Sequence, residues 1–364
     1  MKKVWMLLLC LGLLFTHAAA DSDSLERQAE AMGLDKLADA AGEYSPSDDV
    51  SLTDLGEGLQ DILDTGTSQL IGVVRKGIRS TVLLLAVVLL CALGQNTEEA
   101  MGKSGGLQVV PIAGTLAITA ISVTDVRSLI GMGTVALDNM TTFSQILLPT
   151  MAVATAASGS PGAGAARQIA TMLFSTVLMN LITKLLIPLV YGYIAACVAH
   201  AAVGNEGLKR VAGVLKWVTT SVLAALLLAF TGYLTVSGVI AGTADVVAVK
   251  AAKFTVSSMV PVVGGILSDA AETVLAGAGI LKNSVGVFGM LVILSMCVVP
   301  FLQLGIHYLT YKLAAALSAT VAESRISGLI DGIGGAFGLI LGMTGACALL
   351  LLISMVSAVS MVAT

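Results

Sequence analysis

The run VTTSVLAALLLAFTGYLTVSGVI, from Val218 to Ile240, contains no Asp, Glu, Lys or Arg. About 20 residues of α-helix cross about 30 Å of hydrocarbon, so this run spans a bilayer as a single helix. At that depth there is no water to bond backbone groups, and a helix satisfies its own. Composition extends the reading to the whole chain. Hydrophobic residues make up 56% and charged residues 12%, with a mean hydropathy of +0.94, whereas an ordinary soluble domain is roughly a quarter charged. There is too little polar surface here to cover a water-soluble globule.

Working outward, further apolar runs follow the same pattern: Ile78 to Leu93, Leu107 to Val123, Phe143 to Ala157, Ile169 to Val203, Val285 to Ala316 and Ile333 to Val362. Asp125 and Arg127 read as a polar break between the second and third of these, and Pro149 interrupts the third. The stretch from Ile169 to Val203 exceeds one ordinary span and carries Lys184 and Pro188. It reads as a tilted, kinked helix or as two joined pieces.

The amino terminus has the plan of a signal peptide: Lys2 and Lys3, an apolar stretch from Val4 to Phe15, then Ala18, Ala19 and Ala20. Cleavage is expected after Ala20. The next segment, 21–74, is acidic, holding more than half of all Asp and Glu against Arg27 and Lys36 as the bases up to Asp64. Leu52, Leu55, Leu59, Ile62 and Leu63 recur there at helical spacing, predicting an amphipathic helix. The remaining chain, 75–364, is the transmembrane domain. Export of the acidic segment puts Arg75, Lys76 and Arg79 on the outer side, against the usual excess of Lys and Arg in cytoplasmic loops; the signal peptide is given precedence. The fold class expected is therefore all-α: a polytopic helical integral membrane protein with a cleaved leader and a short acidic exported segment.

Several function classes are excluded. Nucleic-acid binding needs clustered Lys and Arg to displace counterions, and the chain has no such cluster. The five cysteines and three histidines are scattered, without the spacing of a disulfide framework or a zinc site. There is no phosphate loop, nucleophile elbow or paired-histidine helix. No catalytic residue, cofactor or metal is expected.

Two segments, IPLVYGYIAACVAHAAVGNEGLKRVAGVLKWV from Ile187 and VPFLQLGIHYLTYKLAAALSATVAESRISGLIDGI from Val299, share an order of Pro, aromatics, His, small residues, an acid, Arg and Gly. This suggests an internal duplication of the sort from which transport proteins are assembled. Between them lies a polar stretch, 245–284, with Lys253, Pro261, Gly264, Gly265, Ser268, Asp269 and Glu272. Pro261 removes a backbone donor and the glycine pair permits unusual dihedrals, so a helix should break here. Asp269 and Glu272 share a helical face. The segment reads either as a re-entrant or pore-lining element, as subunit contact, or as an interfacial amphipathic helix with its charges in water.

The order Lys253–Phe254, Pro261-Val262-Val263-Gly264-Gly265, Ser268-Asp269-Ala270, Glu272-Thr273 and Lys282-Asn283 resembles the stage III sporulation protein AE family of endospore-forming bacteria. The resemblance runs over essentially the mature chain. It implies a multi-pass protein of the mother-cell membrane around the forespore, part of a specialised secretion or feeding channel, with membrane proteins of the same operon as partners. It carries over no catalytic residue. A homo-oligomer and membrane lipid complete the expected contacts, and a stand-alone secondary transporter is the alternative function.

Lys184, His200, His307, Lys312 and Asp331 fall in or beside apolar runs, where charge is costly and often functional; snorkelling from helix ends is the plainer reading. Gly328, Gly332, Gly334, Gly338 and Gly342 recur at spacings that let helices approach closely, and are expected to pack against a neighbouring helix.

Overall fold

The computed structural model describes residue 30 and residues 33–44, 55–100, 109–157, 163–241 and 264–360. Among these, all regular structure is helical. Helix α1 is Leu34–Ala41, followed by a 3-10 turn at Gly42–Tyr44; α2 is Leu55–Ala100 and α3 is Val109–Ala157. Then come α4, Ala163–Leu181, and α5, Ile187–Val203, joined by a π turn at Ile182–Leu186. The remaining helices are α6, Glu206–Ala241, α7, Gly264–Ser318, and α8, Ser324–Ser360.

Six helical stretches are long and apolar enough to cross a membrane: 66–95, 110–157, 173–203, 206–230, 283–318 and 324–356. The count differs from the sequence expectation because the two runs flanking Asp125 and Arg127 belong to one helix of 49 residues, α3, which also continues through Pro149. Proline costs one ladder bond, and the rest of a long, packed helix holds it. The predicted amphipathic helix is likewise not separate: from Leu55 onward it is the first part of α2. A Cβ on Gly66 would sit 3.0 Å from Val298 Cγ1 of α7. The boundary placed between 74 and 75 thus falls inside a helix already packed on the bundle. The leader and most of the acidic segment before Leu55 lie outside the described residues.

The kink expected near Pro188 takes a definite form. Pro188 cannot donate to the Lys184 carbonyl, and the chain widens into a π turn just before it. Thr183 Oγ1 donates to the Met179 carbonyl at 2.9 Å within the same turn. Lys184 itself is exposed.

Two helical hairpins organise the bundle, and they coincide with the two similar sequence segments. In the first, α5 ends at Gly204, whose φ of 75° is a left-handed conformation and whose N–H donates to the His200 carbonyl at 2.7 Å. His200 Nδ1 donates to the Asn205 carbonyl at 2.9 Å, and Asn205 Oδ1 accepts the Gly207 N–H at 2.7 Å, capping α6. The second hairpin turns between Ser318 and Ser324. There Arg325 pairs with Glu323 at 2.9 Å, and Gln95 Nε2 donates to the other Glu323 oxygen at 3.3 Å. Arg325 also lies against Gly204, so both turns and the end of α2 meet at one end of the bundle.

Helices α7 and α8 form the centre, with 56% and 61% of their spans buried, whereas α6 lies outside with 11% buried. Fully buried Phe143, Phe230, Phe288, Tyr311 and Phe337 fill the core. Helix α1 also joins it: Leu37 is completely buried, and Asn139 of α3 donates to the Tyr44 hydroxyl at 3.1 Å.

Candidate functional site

Close packing of α8 against its neighbours begins with glycine. A Cβ on Gly332 would stand 2.8 Å from Cys197 Sγ, one on Gly334 3.0 Å from Tyr311 Cβ, and one on Gly338 2.9 Å from Tyr308 Cδ2. Gly335 takes the Tyr193 hydroxyl at 2.9 Å, and Gly345 takes Phe301 at 3.1 Å. Gly342 meets only Leu223 at an ordinary 3.8 Å, and Gly328 meets nothing within 4 Å. Gly328 therefore makes no packing contact of the kind expected for it, because its position turns outward on α8.

This close approach brings polar groups together in the bundle. Lys312 Nζ pairs with Asp331 Oδ1 at 2.6 Å between α7 and α8, and stands 5.9 Å above the Tyr308 ring. Both partners are partly exposed, so the pair is a tie on the hairpin surface rather than a buried charge. One residue away, the fully buried Tyr311 donates its hydroxyl to Asp125 Oδ2 of α3 at 3.0 Å. Asp125 is itself buried, and Ser122 lies one turn before it. One turn from Tyr311, His307 is buried with Nδ1 donating to the Gln303 carbonyl at 2.9 Å. Both rings meet Phe337 edge-on, at 5.1 Å for Tyr311 and 6.2 Å for His307.

Of the residues singled out from sequence, His307, Lys312 and Asp331 lie in this region, whereas Lys184 and His200 lie elsewhere on α4–α5. Asp125 and Tyr311 were not singled out. Asp125 reads with Arg127 as a polar break between apolar runs, and a tyrosine in an apolar helix carries no signal by itself. Lys253 and Pro261 lie outside the described residues. Gly264 and Gly265 open α7, and Ser268, Asp269 and Glu272 follow within it, but their side chains are outside the described set. Among the described residues no group of His, Cys, Asp and Glu could hold a metal ion.

A second polar feature faces outward. On α3, Thr124, Arg127, Ser128, Asp138, Thr142 and Gln145 are exposed on one helical face, with Val135 the one exposed apolar residue among them. From Thr124 to Gln145 the helix rises about 32 Å, close to a full hydrocarbon thickness. The exposed face of α2 is different beyond Arg75, Lys76 and Arg79, which are themselves exposed: Val82, Leu83, Leu89, Leu90 and Leu93 suit lipid. Beside the α3 stripe, α1 presents Asp35, Lys36 and Asp39 to the exterior. Its anchor, Asn139, lies between Gly133, which faces Leu304 and Ile340, and Leu147, which faces Gly289. Charged groups thus stand at the depth of the apolar spans of α7 and α8.

The sequence model of the stage III sporulation protein AE family matches residues 49–362. A curated relative from Bacillus subtilis (strain 168), named stage III sporulation protein AE, is 23% identical over 248 residues, covering 68% of this chain and 62% of the relative. The aligned part is thus less than two thirds of that relative's length. No solved structure matches.

Proposed function

The chain belongs to the stage III sporulation protein AE family, and from that premise we propose that it is a membrane component of the channel complex linking mother cell and forespore during endospore formation. Its partners in this reading are the other stage III sporulation membrane proteins of the same operon, and its place is the mother-cell membrane around the forespore. The observation that carries it is the outer face of α3. Thr124, Arg127, Ser128, Asp138, Thr142 and Gln145 are exposed over a membrane's thickness, and lipid is a poor cover for charged and polar side chains. Water in a lumen, or another protein, is the cover such a face requires. A self-contained permease would turn these residues inward.

The test is isolation of the tagged chain from sporulating cells under gentle solubilisation. Co-isolation of several sporulation membrane proteins is expected. Single cysteines at Thr124, Ser128 and Thr142, with native cysteines replaced, should react with a membrane-impermeant maleimide or become shielded when partners are present, unlike cysteines at Leu83 and Leu90. A particle of this chain alone that catalyses saturable solute uptake in liposomes would instead establish a secondary transporter. Ser268, Asp269 and Glu272, with Gly264 and Gly265 ahead of them, remain the proposed second contact or lumen segment.

A further inference from the structure

Hydroxyls inside this bundle fall into two groups. Thr134, Thr141, Thr150, Thr183, Thr219 and Ser318 each donate to the carbonyl four residues back, at 2.6 to 2.9 Å. That is how a helix satisfies a hydroxyl without water. Thr115, Thr119 and Ser122 on α3, and Thr344 and Ser354 on α8, behave differently: their oxygens are buried and have no hydrogen-bond partner. His307 Nε2 is in the same condition. Ser122 stands one turn before Asp125, which accepts the Tyr311 hydroxyl.

These atoms are ordered along the bundle. Thr115 stands near the start of α3, beside Gly114, which faces Ile326 near the start of α8. Thr119 and Ser122 follow at one-turn intervals on the same face and lead to Asp125 and its Tyr311 partner. His307 is the next turn of α7, across the same Phe337 ring. Two turns further along α8 from Phe337, Thr344 faces Gly133, whose Cβ would stand 3.8 Å from its Oγ1. Ser354 lies close to the far end of α8. Between Ile326 and Ser354, α8 rises about 40 Å, more than the roughly 30 Å of hydrocarbon.

We propose that the bundle conducts protons along a file of buried waters held by these unpartnered hydroxyls, with the Asp125 carboxylate and His307 Nε2 as the proton-holding groups at its middle. Buried polar atoms without protein partners are where internal waters sit, and carboxylate and imidazole groups within membrane helices form proton relays. A stripe of hydroxyls alone would be packing; a carboxylate and an unpartnered imidazole nitrogen in line with it make a relay. A proton enters as hydronium, resides on Asp125, passes through water to His307 Nε2 and leaves as hydronium at the other end. His307 Nδ1 keeps its proton on the Gln303 carbonyl throughout, so Nε2 both receives and releases, and no electrons move. This inference stands on the interior of the chain and does not depend on its membership of an assembly.

Purified full-length protein in phospholipid vesicles containing a pH-sensitive dye, with an inside-negative potassium diffusion potential set by valinomycin, provides the test. Acidification at least ten-fold faster than in empty vesicles is expected. Asp125→Asn retains an acceptor for Tyr311 and should abolish the excess. Thr119→Val keeps the shape without the hydroxyl, should lower the rate several-fold, and should melt in detergent with the wild type. Wild-type rates no faster than empty vesicles would overturn the proposal. So would an unchanged rate in the folded Thr119→Val protein, which decides the matter if Asp125→Asn fails to fold.

Discussion

At the scale of single residues, burial separates side chains that sequence treats alike. Gly328 and Gly338 occupy the same glycine-rich helix, yet a Cβ at Gly338 would press on the Tyr308 ring at 2.9 Å while one at Gly328 meets nothing. Gly338→Leu should therefore lose folded, detergent-stable protein far more than Ala316→Leu, whose site is exposed. Gly328→Ala should be neutral or stabilise by about 0.5–1 kcal/mol through helix propensity. Size-exclusion yield and thermal melts compare all three, and equal yields from the two leucine variants would remove the close helix contact. Tyr311→Phe should destabilise by about 1–3 kcal/mol, since it strands a buried carboxylate oxygen of Asp125. Combining it with Asp125→Asn should cost less than the two single effects added, which a double-mutant cycle of melts would detect. Lys312 and Asp331 were legible from sequence because charge in an apolar run is conspicuous. The burial of Asp125 is not, because its neighbours Thr124 and Arg127 point outward and the three together read as a polar break between apolar runs.

At the scale of elements, apolar runs mark where helices pass through lipid but not where they end. The exposed polar stripe of α3 interrupts the apolar run, while the buried positions Ile118, Ser122, Val126, Leu129 and Ile130 keep helical periodicity through the break. Reading both faces, rather than mean hydropathy, would have joined the two predicted spans. The start of α7 at Gly264 follows the Pro261 and glycine signal, and Asp269 and Glu272 fall in its second and third turns. Replacing both, Asp269→Asn with Glu272→Gln, keeps size and hydrogen bonding while removing charge. If they line a lumen or a subunit contact, the variant should reach normal membrane abundance and fail in spore formation. Normal abundance with normal spore yield would rule out that role, since exposed charges on an interfacial helix contribute little; lost abundance would make the pair structural.

At the scale of the whole molecule, hydropathy made the helical membrane class legible, while the arrangement of helices depended on contacts between distant segments. The central α7–α8 hairpin, the peripheral α6 and the docking of α1 on α3 are packing outcomes that no local pattern announces. Sidedness is testable directly. Mature protein should begin at Asp21, and a reporter fused near Tyr44 should be active outside the cytoplasm; a mature chain retaining Met1, or a reporter active only inside, would reverse the assignment. Leu37→Asp should release α1 from the bundle, because it places charge at a fully buried contact. Increased protease cleavage near Tyr44 would record the release.

Helix α7 runs unbroken for 55 residues, which is about 80 Å of rise. Transmembrane helices lean by about 40° at most, and even at that slope such a rod reaches about 60 Å along the bilayer normal, twice the hydrocarbon thickness. A length of roughly 30 Å must therefore project beyond the lipid as a rigid strut. Within its apolar span, 283–318, α7 is gripped on several sides: Gly289 lies against Leu147 of α3, Val298 against Gly66 of α2 and Tyr311 against Gly334 of α8. A partner meeting the tip of such a helix would stand off from the bilayer by that excess length.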